Sequence, residues 1–265
     1  RKMKFLERNS NEQIIVNNTS AVVATSDQII NVFKSYYNIP LQKVLYFPPG
    51  VDDIMFRPRD KAECKKTWQY LARITGIKEN DLMKRKIIFE TSRMDQTKRK
   101  DLLVRAFQSL PDKYDDALLI IGGGPENKVF KGLKDLIRSS KTSKKIFLTG
   151  FIPDEFISEM FSIATIFASA SEMEGFGISV LNAASSGVPL ISSDLIPFSV
   201  QYVRDSSLIV GAGDIQGFAE GMKQYLDDEG LREKNASKSL KVSNDFKWKG
   251  LTKKLVSDLR RLGIV

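Results

Sequence analysis

The sequence predicts a doubly wound α/β fold, a Rossmann-like parallel sheet with helices on both faces, and three observations carry that expectation. Between Lys43 and Val210, short apolar runs alternate with longer stretches, the order expected of successive βα units. The stretches between the runs carry helical spacing, as in Leu102, Leu103, Ala106, Phe107 and Leu110, or Phe130, Leu133, Leu136 and Ile137. The composition, 42% hydrophobic and 28% charged with 17 Gly and 9 Pro in 265 residues, allows a sizeable core and excludes collagen-like, low-complexity and disordered chains.

Taken in order, residues 1 to 16 read as helical and residues 21–24 as a strand. Ser26 stands where a helix N-cap belongs, ahead of the amphipathic series Ile29, Ile30, Phe33 and Tyr36. A proline-marked passage from Pro40 to Pro58 follows, with Pro48-Pro49-Gly50 as an interdomain linker signal. The apolar runs expected as strands of the sheet are residues 44–47, 87–89, 117–121, 146–148, 165–168, 188–191 and 208–210. Pro189 is tolerable at the start of its strand. At the end, Trp248, Leu251, Leu255, Leu259 and Leu262 recur at helical intervals among Lys253, Lys254, Arg260 and Arg261, a basic amphipathic helix. The division expected is 1–40, 41–245 and 246–265, with the middle segment as the main domain.

Composition also narrows the chemistry. One cysteine, Cys64, forms no internal disulfide, and a chain with no histidine offers neither zinc sites nor Ser-His-Asp or Cys-His pairs. Catalysis must lean on Asp, Glu, Lys or Arg. The net charge of +9 points to an anionic partner. Its location matters: the last 34 positions hold ten basic residues and three acids, so most of the chain is nearly neutral. No apolar run has the length of a membrane span and no signal-peptide pattern opens the chain, so a soluble, cytoplasmic protein is expected. The basic cluster lacks an aromatic platform beyond Phe246 and Trp248, which argues against nucleic acid. Arg1 falls in mid-pattern, and a piece of something longer is expected.

In a doubly wound sheet, ligands bind outside the carboxyl ends of the strands, so the loops after each run are where chemistry is sought. Ser171-Glu172-Met173-Glu174-Gly175-Phe176-Gly177 follows one run and precedes a helical stretch from Ile178 to Ala184. It reads either as a tight turn or as an anion site, where glycines admit a phosphate to the amides of the following helix. Arg93 and Lys98 follow another run; they read either as a solvated basic loop with Arg99 and Lys100, or as a fork and a point charge for a diphosphate. Gly122-Gly123-Gly124-Pro125 lacks dinucleotide-fingerprint spacing and reads as a tight turn with Pro125 starting a helix.

Together these residues resemble a known family. Arg93-x4-Lys98-x2-Asp101-Leu102-Leu103, Gly122-x-Gly124-Pro125, Gly150-Phe151-Ile152-Pro153-Asp154, Glu174-Gly175-Phe176-Gly177 and Ser186-Gly187-Val188-Pro189 occur in one order at fitting intervals. The series, spanning about Val44 to Lys249, resembles the C-terminal, nucleotide-sugar-binding half of a glycosyltransferase family 4 enzyme with the GT-B architecture. Pro48-Pro49-Gly50-Val51-Asp52 with Phe56-Arg57-Pro58 resembles the family's interdomain linker, the preceding βα unit resembles the end of its N-terminal acceptor-side domain, and the closing helix resembles the segment that packs back on that domain.

The resemblance implies a retaining hexosyltransferase that uses a nucleotide diphosphate sugar as donor substrate and no metal or other cofactor. Arg93 and Lys98 would hold the diphosphate with the amides of Gly175, Phe176 and Gly177, and Glu174 would face the donor sugar. Ile152 and Asp154 are the candidates for contacting the base. One departure stands out: the family places a second glutamate eight positions after the first, usually on the ribose hydroxyls, and that position is Asn182 here. Asparagine can still hydrogen-bond there without the carboxylate's charge, and Glu172, two residues before Glu174, is a nearby carboxylate that could substitute, though nothing in the sequence places it to do so. The family's histidine comes from the N-terminal domain, so the acceptor site is expected to be missing from this chain. A non-catalytic accessory subunit, supported by Asn182, and a sugar-nucleotide epimerase are the alternatives. The basic closing helix either packs on the missing domain or makes peripheral contact with an anionic membrane.

Overall fold

Runs such as Lys86–Thr91 and Ala117–Gly122 form strands because β-branched and aromatic residues suit a pleated surface, and their lack of polar alternation suits a sheet covered on both faces. A computed structural model of the chain describes residues 11–265; the helix expected over residues 1 to 16 lies mostly outside them, and residues 11–17 are helical. The described residues divide into two compact units, one formed by the chain up to Gly50 with Phe246–Val265, the other by Val51–Asp245.

The smaller unit contains β1 (Val22–Ala24), α1 (Asp27–Tyr36) and β2 (Val44–Tyr46). Ser26 caps α1 as its sequence predicts, its hydroxyl accepting from the Ile29 amide at 3.4 Å. β2 was expected in the main sheet, but it pairs in parallel with β1, Val22 opposite Val44, as a separate two-stranded sheet. Its ladder ends at Phe47, whose amide donates to the Ala24 carbonyl at 2.9 Å, because Pro48 and Pro49 have no amide hydrogen to continue it.

The larger unit runs α2 (Lys65–Thr75), α3 (Glu79–Leu82), β3 (Lys86–Thr91), α4 (Lys100–Gln108), β4 (Ala117–Gly122), α5 (Lys128–Arg138), β5 (Ile146–Gly150), α6 (Asp154–Ile163), β6 (Ile166–Ser169), α7 (Ile178–Ser185), β7 (Leu190–Ser193), α8 (Pro197–Gln201), β8 (Leu208–Val210), α9 (Ile215–Asp227) and α10 (Glu229–Ser243). α11 (Trp248–Arg261) closes the chain in the smaller unit, where Trp248 lies 6.2 Å from Phe47 and leaves no room for a Cβ at Gly50.

All six strands of the larger sheet are parallel, in the order β5-β4-β3-β6-β7-β8. The doubly wound expectation is borne out, and the order reverses between β3 and β6. Side-chain alternation splits the core in two. Ile88, Leu119 and Ile191 point to a layer filled by Leu102 and Phe107 of α4, Leu133 of α5, and Phe218 and Tyr225 of α9. On the other face Phe89 and Phe167 meet Phe161 of α6 at 5.2 and 5.3 Å between ring centres, with Phe56 at 5.6 Å. Cys64 is a packing residue, 1% exposed, and burial pushes its thiol up to about 11.

Phe161 touches three aromatic rings and is 1% exposed, so Phe161→Ala should lower stability by about 3–5 kcal/mol. Urea denaturation checks this against Ile54→Ala, whose side chain is 82% exposed and should change stability by no more than about 0.5 kcal/mol.

Candidate active site

The reversal point brings two loops together, residues 92–99 after β3 and 170–177 after β6. The first is shaped locally. Asp95 accepts from the amide and hydroxyl of Thr97 at 2.8 and 2.7 Å, which tightens the turn and, with those hydrogen bonds as the main cause, holds its carboxyl below the usual range. The second loop is stitched to it by the Glu172 amide, which donates to the Thr97 carbonyl at 2.8 Å.

This turn sends Lys98 inward. Its side chain is 7% exposed, and its Nζ donates to Glu174 Oε1 at 2.6 Å, the Met173 carbonyl at 3.1 Å and Ser171 Oγ at 3.4 Å. The two sequence-predicted charges are thus in direct contact. Arg93, on the same loop, is exposed and makes no side-chain hydrogen bond or ion pair among the described residues. The solvated-loop reading of the basic residues in this segment is corrected: Lys98 and Lys100 are both buried, and of the four only Arg93 and part of Arg99 meet solvent. Arg99 sits in the left-handed region at φ 47° and pairs with Asp101 and Glu172. Glu172 is therefore already engaged by a cation.

Gly175, Phe176 and Gly177 lead into α7, with Gly177 as its N-cap at φ 111°. Phe176 anchors the turn: it is 3% exposed, stacks near Phe198 and Tyr202, and its carbonyl accepts from the Phe198 amide at 2.8 Å. The amides of the first turn of α7 emerge here, the donor-rich and positive end of a helix. Asn182 lies in the second turn, half-buried, with no side-chain hydrogen bond among the described residues.

The neighbouring rim is glycine for steric reasons. Gly123 has φ 108°, and a Cβ there would stand 1.8 Å from the Ser92 carbonyl oxygen. α5 starts at Lys128 under an Asn127 cap, so Pro125 does not begin it, contrary to expectation; the Asn127 side chain accepts from Val129 and Phe130 and supplies the start signal. Ile152 is 5% exposed and packs on Gly122, whereas Asp154 is exposed in the first turn of α6. Neither joins the Lys98–Glu174 cluster. A cleft of about 680 Å³ runs beside the site between α4 and α5, walled by Arg99, Lys128 and Leu133, but Arg93, Lys98 and Glu174 do not line it.

Sequence reasoning passed over Lys100 and Glu90. Lys100 pairs with Glu90 and donates to the carbonyls of Gly122 at 2.9 Å and Ser92 at 3.2 Å. The signal was there: Lys100 precedes Leu103, Val104 and Phe107 by three, four and seven positions, which places it on the buried stripe of α4.

A family model, that of the glycosyl transferases group 1, matches residues 74–242, and the chain belongs to this family. The resemblance read from the motifs is borne out. Among curated relatives, mannosylfructose-phosphate synthase of Agrobacterium fabrum is 27% identical over 71% of this chain and 40% of its own length. A GDP-mannose-dependent alpha-(1-6)-phosphatidylinositol monomannoside mannosyltransferase of Mycobacterium tuberculosis is 27% identical over 91% of this chain and 62% of its own. This chain thus spans about two fifths to three fifths of such relatives. Among solved structures, sucrose-phosphate synthase from Thermosynechococcus elongatus superposes with a TM-score of 0.79 at 19% identity, over 97% of this chain and 61% of that one. Anabaena HepE in complex with UDP gives 0.80 at 17% identity, over 96% of this chain and 68% of that one. At these identities the structures establish the fold, that of the GT-B glycosyltransferases. Among the described residues no helix is long and apolar enough to cross a membrane.

Adding a methyl group should rank three glycines. Gly76 has φ 71° and open space around it, so Gly76→Ala should cost about 1–2 kcal/mol. Gly177→Ala should cost more, since its Cβ would meet Ile196 at 2.5 Å, and Gly123→Ala most, since a backbone carbonyl blocks it. Chemical denaturation of the three variants checks the order.

Proposed function

We propose that the larger unit is the donor-binding domain of a retaining hexosyltransferase that takes its sugar from a nucleotide diphosphate sugar, and that the smaller unit belongs with an acceptor-side domain. The observation that carries this reading is the contact of Lys98 Nζ with Glu174 Oε1 at 2.6 Å at the reversal point of the sheet. A buried lysine held by a carboxylate is a cation kept in reserve. An arriving diphosphate offers Lys98 more negative charge than Glu174 does, while exposed Arg93 supplies a planar fork and the α7 amides supply fixed donors. As the glycosidic bond breaks, charge grows on the leaving diphosphate, and these groups stabilise it without reorganising. Glu174, released from Lys98, faces the sugar and favours the positive charge at the anomeric carbon. Asn182 takes the ribose with a neutral amide. The loop bearing Ile152 and Asp154 borders the base. Family membership and the solved complex of the structural neighbour HepE with UDP support this reading.

Calorimetry of the chain against UDP, GDP, ADP and their sugars should find at least one that binds; binding to none of them overturns the donor reading. With the nucleotide that binds, Lys98→Ala should weaken affinity about tenfold or more, the loss of one charge-assisted bond of about 1.5–3 kcal/mol. Glu174→Gln should instead tighten the nucleoside diphosphate, because Lys98 is freed and a repelling carboxylate is removed. Asn182→Glu should tighten ribose-bearing ligands by about 1 kcal/mol.

A further inference from the structure

Lys100 stands outside the cluster just described, yet it is the most completely satisfied charge in the fold's core. An ammonium has three hydrogens to donate. Lys100 gives them to Glu90 Oε2, to the Gly122 carbonyl and to the Ser92 carbonyl, with its side chain fully buried. The other oxygen of Glu90 accepts from Ser92 Oγ at 2.5 Å. The end of β3, the first residue of the loop that follows it and the end of β4, which is 22 positions beyond Lys100, meet at this one nitrogen.

The location is the carboxyl end of β3 and β4, where the ladder becomes irregular. Register between β4 and β5 shifts between Ile121 and Gly122, the residue whose carbonyl Lys100 takes up. Next to it, Gly123 lies so close to the Ser92 carbonyl that a Cβ would stand 1.8 Å away. Small movements of Ser92 therefore pass directly to Gly123 on one side and to Arg93 on the other. Stability alone is a poor account of such a pair: desolvation lowers the pKa of Lys100, and apolar residues of similar volume commonly replace a buried ion pair without loss. What apolar residues do not supply is direction.

We propose that Lys100 is a positioning residue: through Glu90 and the carbonyls of Ser92 and Gly122 it fixes the β3 and β4 loop ends so that Arg93 is aimed at the donor diphosphate. This rests on the donor reading above. Lys100 touches no ligand itself and acts through Arg93.

The test pairs Glu90→Leu with Lys100→Met, which keeps the volume and leaves no buried charge, and uses UDP or whichever nucleoside diphosphate of the panel binds the parent. The expected result is a thermal midpoint close to the parent's with affinity reduced about tenfold, and a much smaller further loss when Arg93→Ala is already present, the non-additivity of residues acting as one unit. A second pair, Glu90→Gln with Lys100→Gln, restores neutral hydrogen bonding and should recover part of the affinity; its own cycle with Arg93→Ala decides the matter should the apolar pair unfold. Parent-like binding by both pairs, or losses that add fully to that of Arg93→Ala, would overturn the assignment while leaving the donor reading intact. No binding by the parent would instead bring down the donor reading and this assignment with it.

Discussion

The pairing of β3 with β6 is the constraint on which the candidate site depends. Ile88 lies opposite Ile166 and Phe89 opposite Phe167, so two strands almost eighty positions apart become neighbours, and the loops that leave them have no strand between them. Everything else follows from that adjacency. The Thr97 carbonyl meets the Glu172 amide, Lys98 meets Glu174, and Arg99 meets Glu172, all across one seam. The pairing is itself enforced by apolar packing: the alternating residues of these two strands are buried on both faces, and a one-residue slip would exchange the aliphatic face for the aromatic one.

Two lysines two residues apart divide the work at this seam. Both are buried, and burying an unpaired ammonium is prohibitive, so each comes with a carboxylate. They differ in what else holds them. Lys100 is enclosed by Glu90 and two main-chain carbonyls, a set with no vacancy for a ligand. Lys98 is held by a partly exposed glutamate, one carbonyl and a long contact to a serine hydroxyl. The first arrangement is fit for holding a backbone in place and the second for exchanging a partner. Arg99, between them, turns the chain through a left-handed conformation so that both neighbours point inward, and its own pairs with Asp101 and Glu172 offset the strain.

The strands were legible in the sequence because their signal is local: an apolar run between helical stretches states its own secondary structure. The Ser26 cap was legible for the same reason. The partner of β2 was not, since Val44 and its neighbours make as good a strand for one sheet as for another. The burial of Lys98 and Lys100 was hidden for a different reason. Composition assigns lysine to the surface, and the carboxylates that make burial tolerable, Glu174 and Glu90, lie 76 and 10 positions away. Periodicity carried the missing information for Lys100, whose place on the apolar stripe of α4 outweighs its charge.

The cations of this loop are paired unequally. With Lys98 neutralised by Glu174, Arg99 by Asp101 and Glu172, and Lys100 by Glu90, Arg93 is the one cation of this loop with no ion-pair partner among the described residues. On the proposed donor reading, exposed Arg93 would be the first cation an approaching anion meets, and a ligand would have to outbid a carboxylate at 2.6 Å to draw Lys98 away from Glu174. A monoanion would gain little from that exchange, whereas a diphosphate would gain a second cation and free the glutamate in the same movement. On the proposed donor reading, selection for a diphosphate would rest on this exchange rather than on the shape of the pocket, and the glutamate would become available only once the diphosphate has arrived.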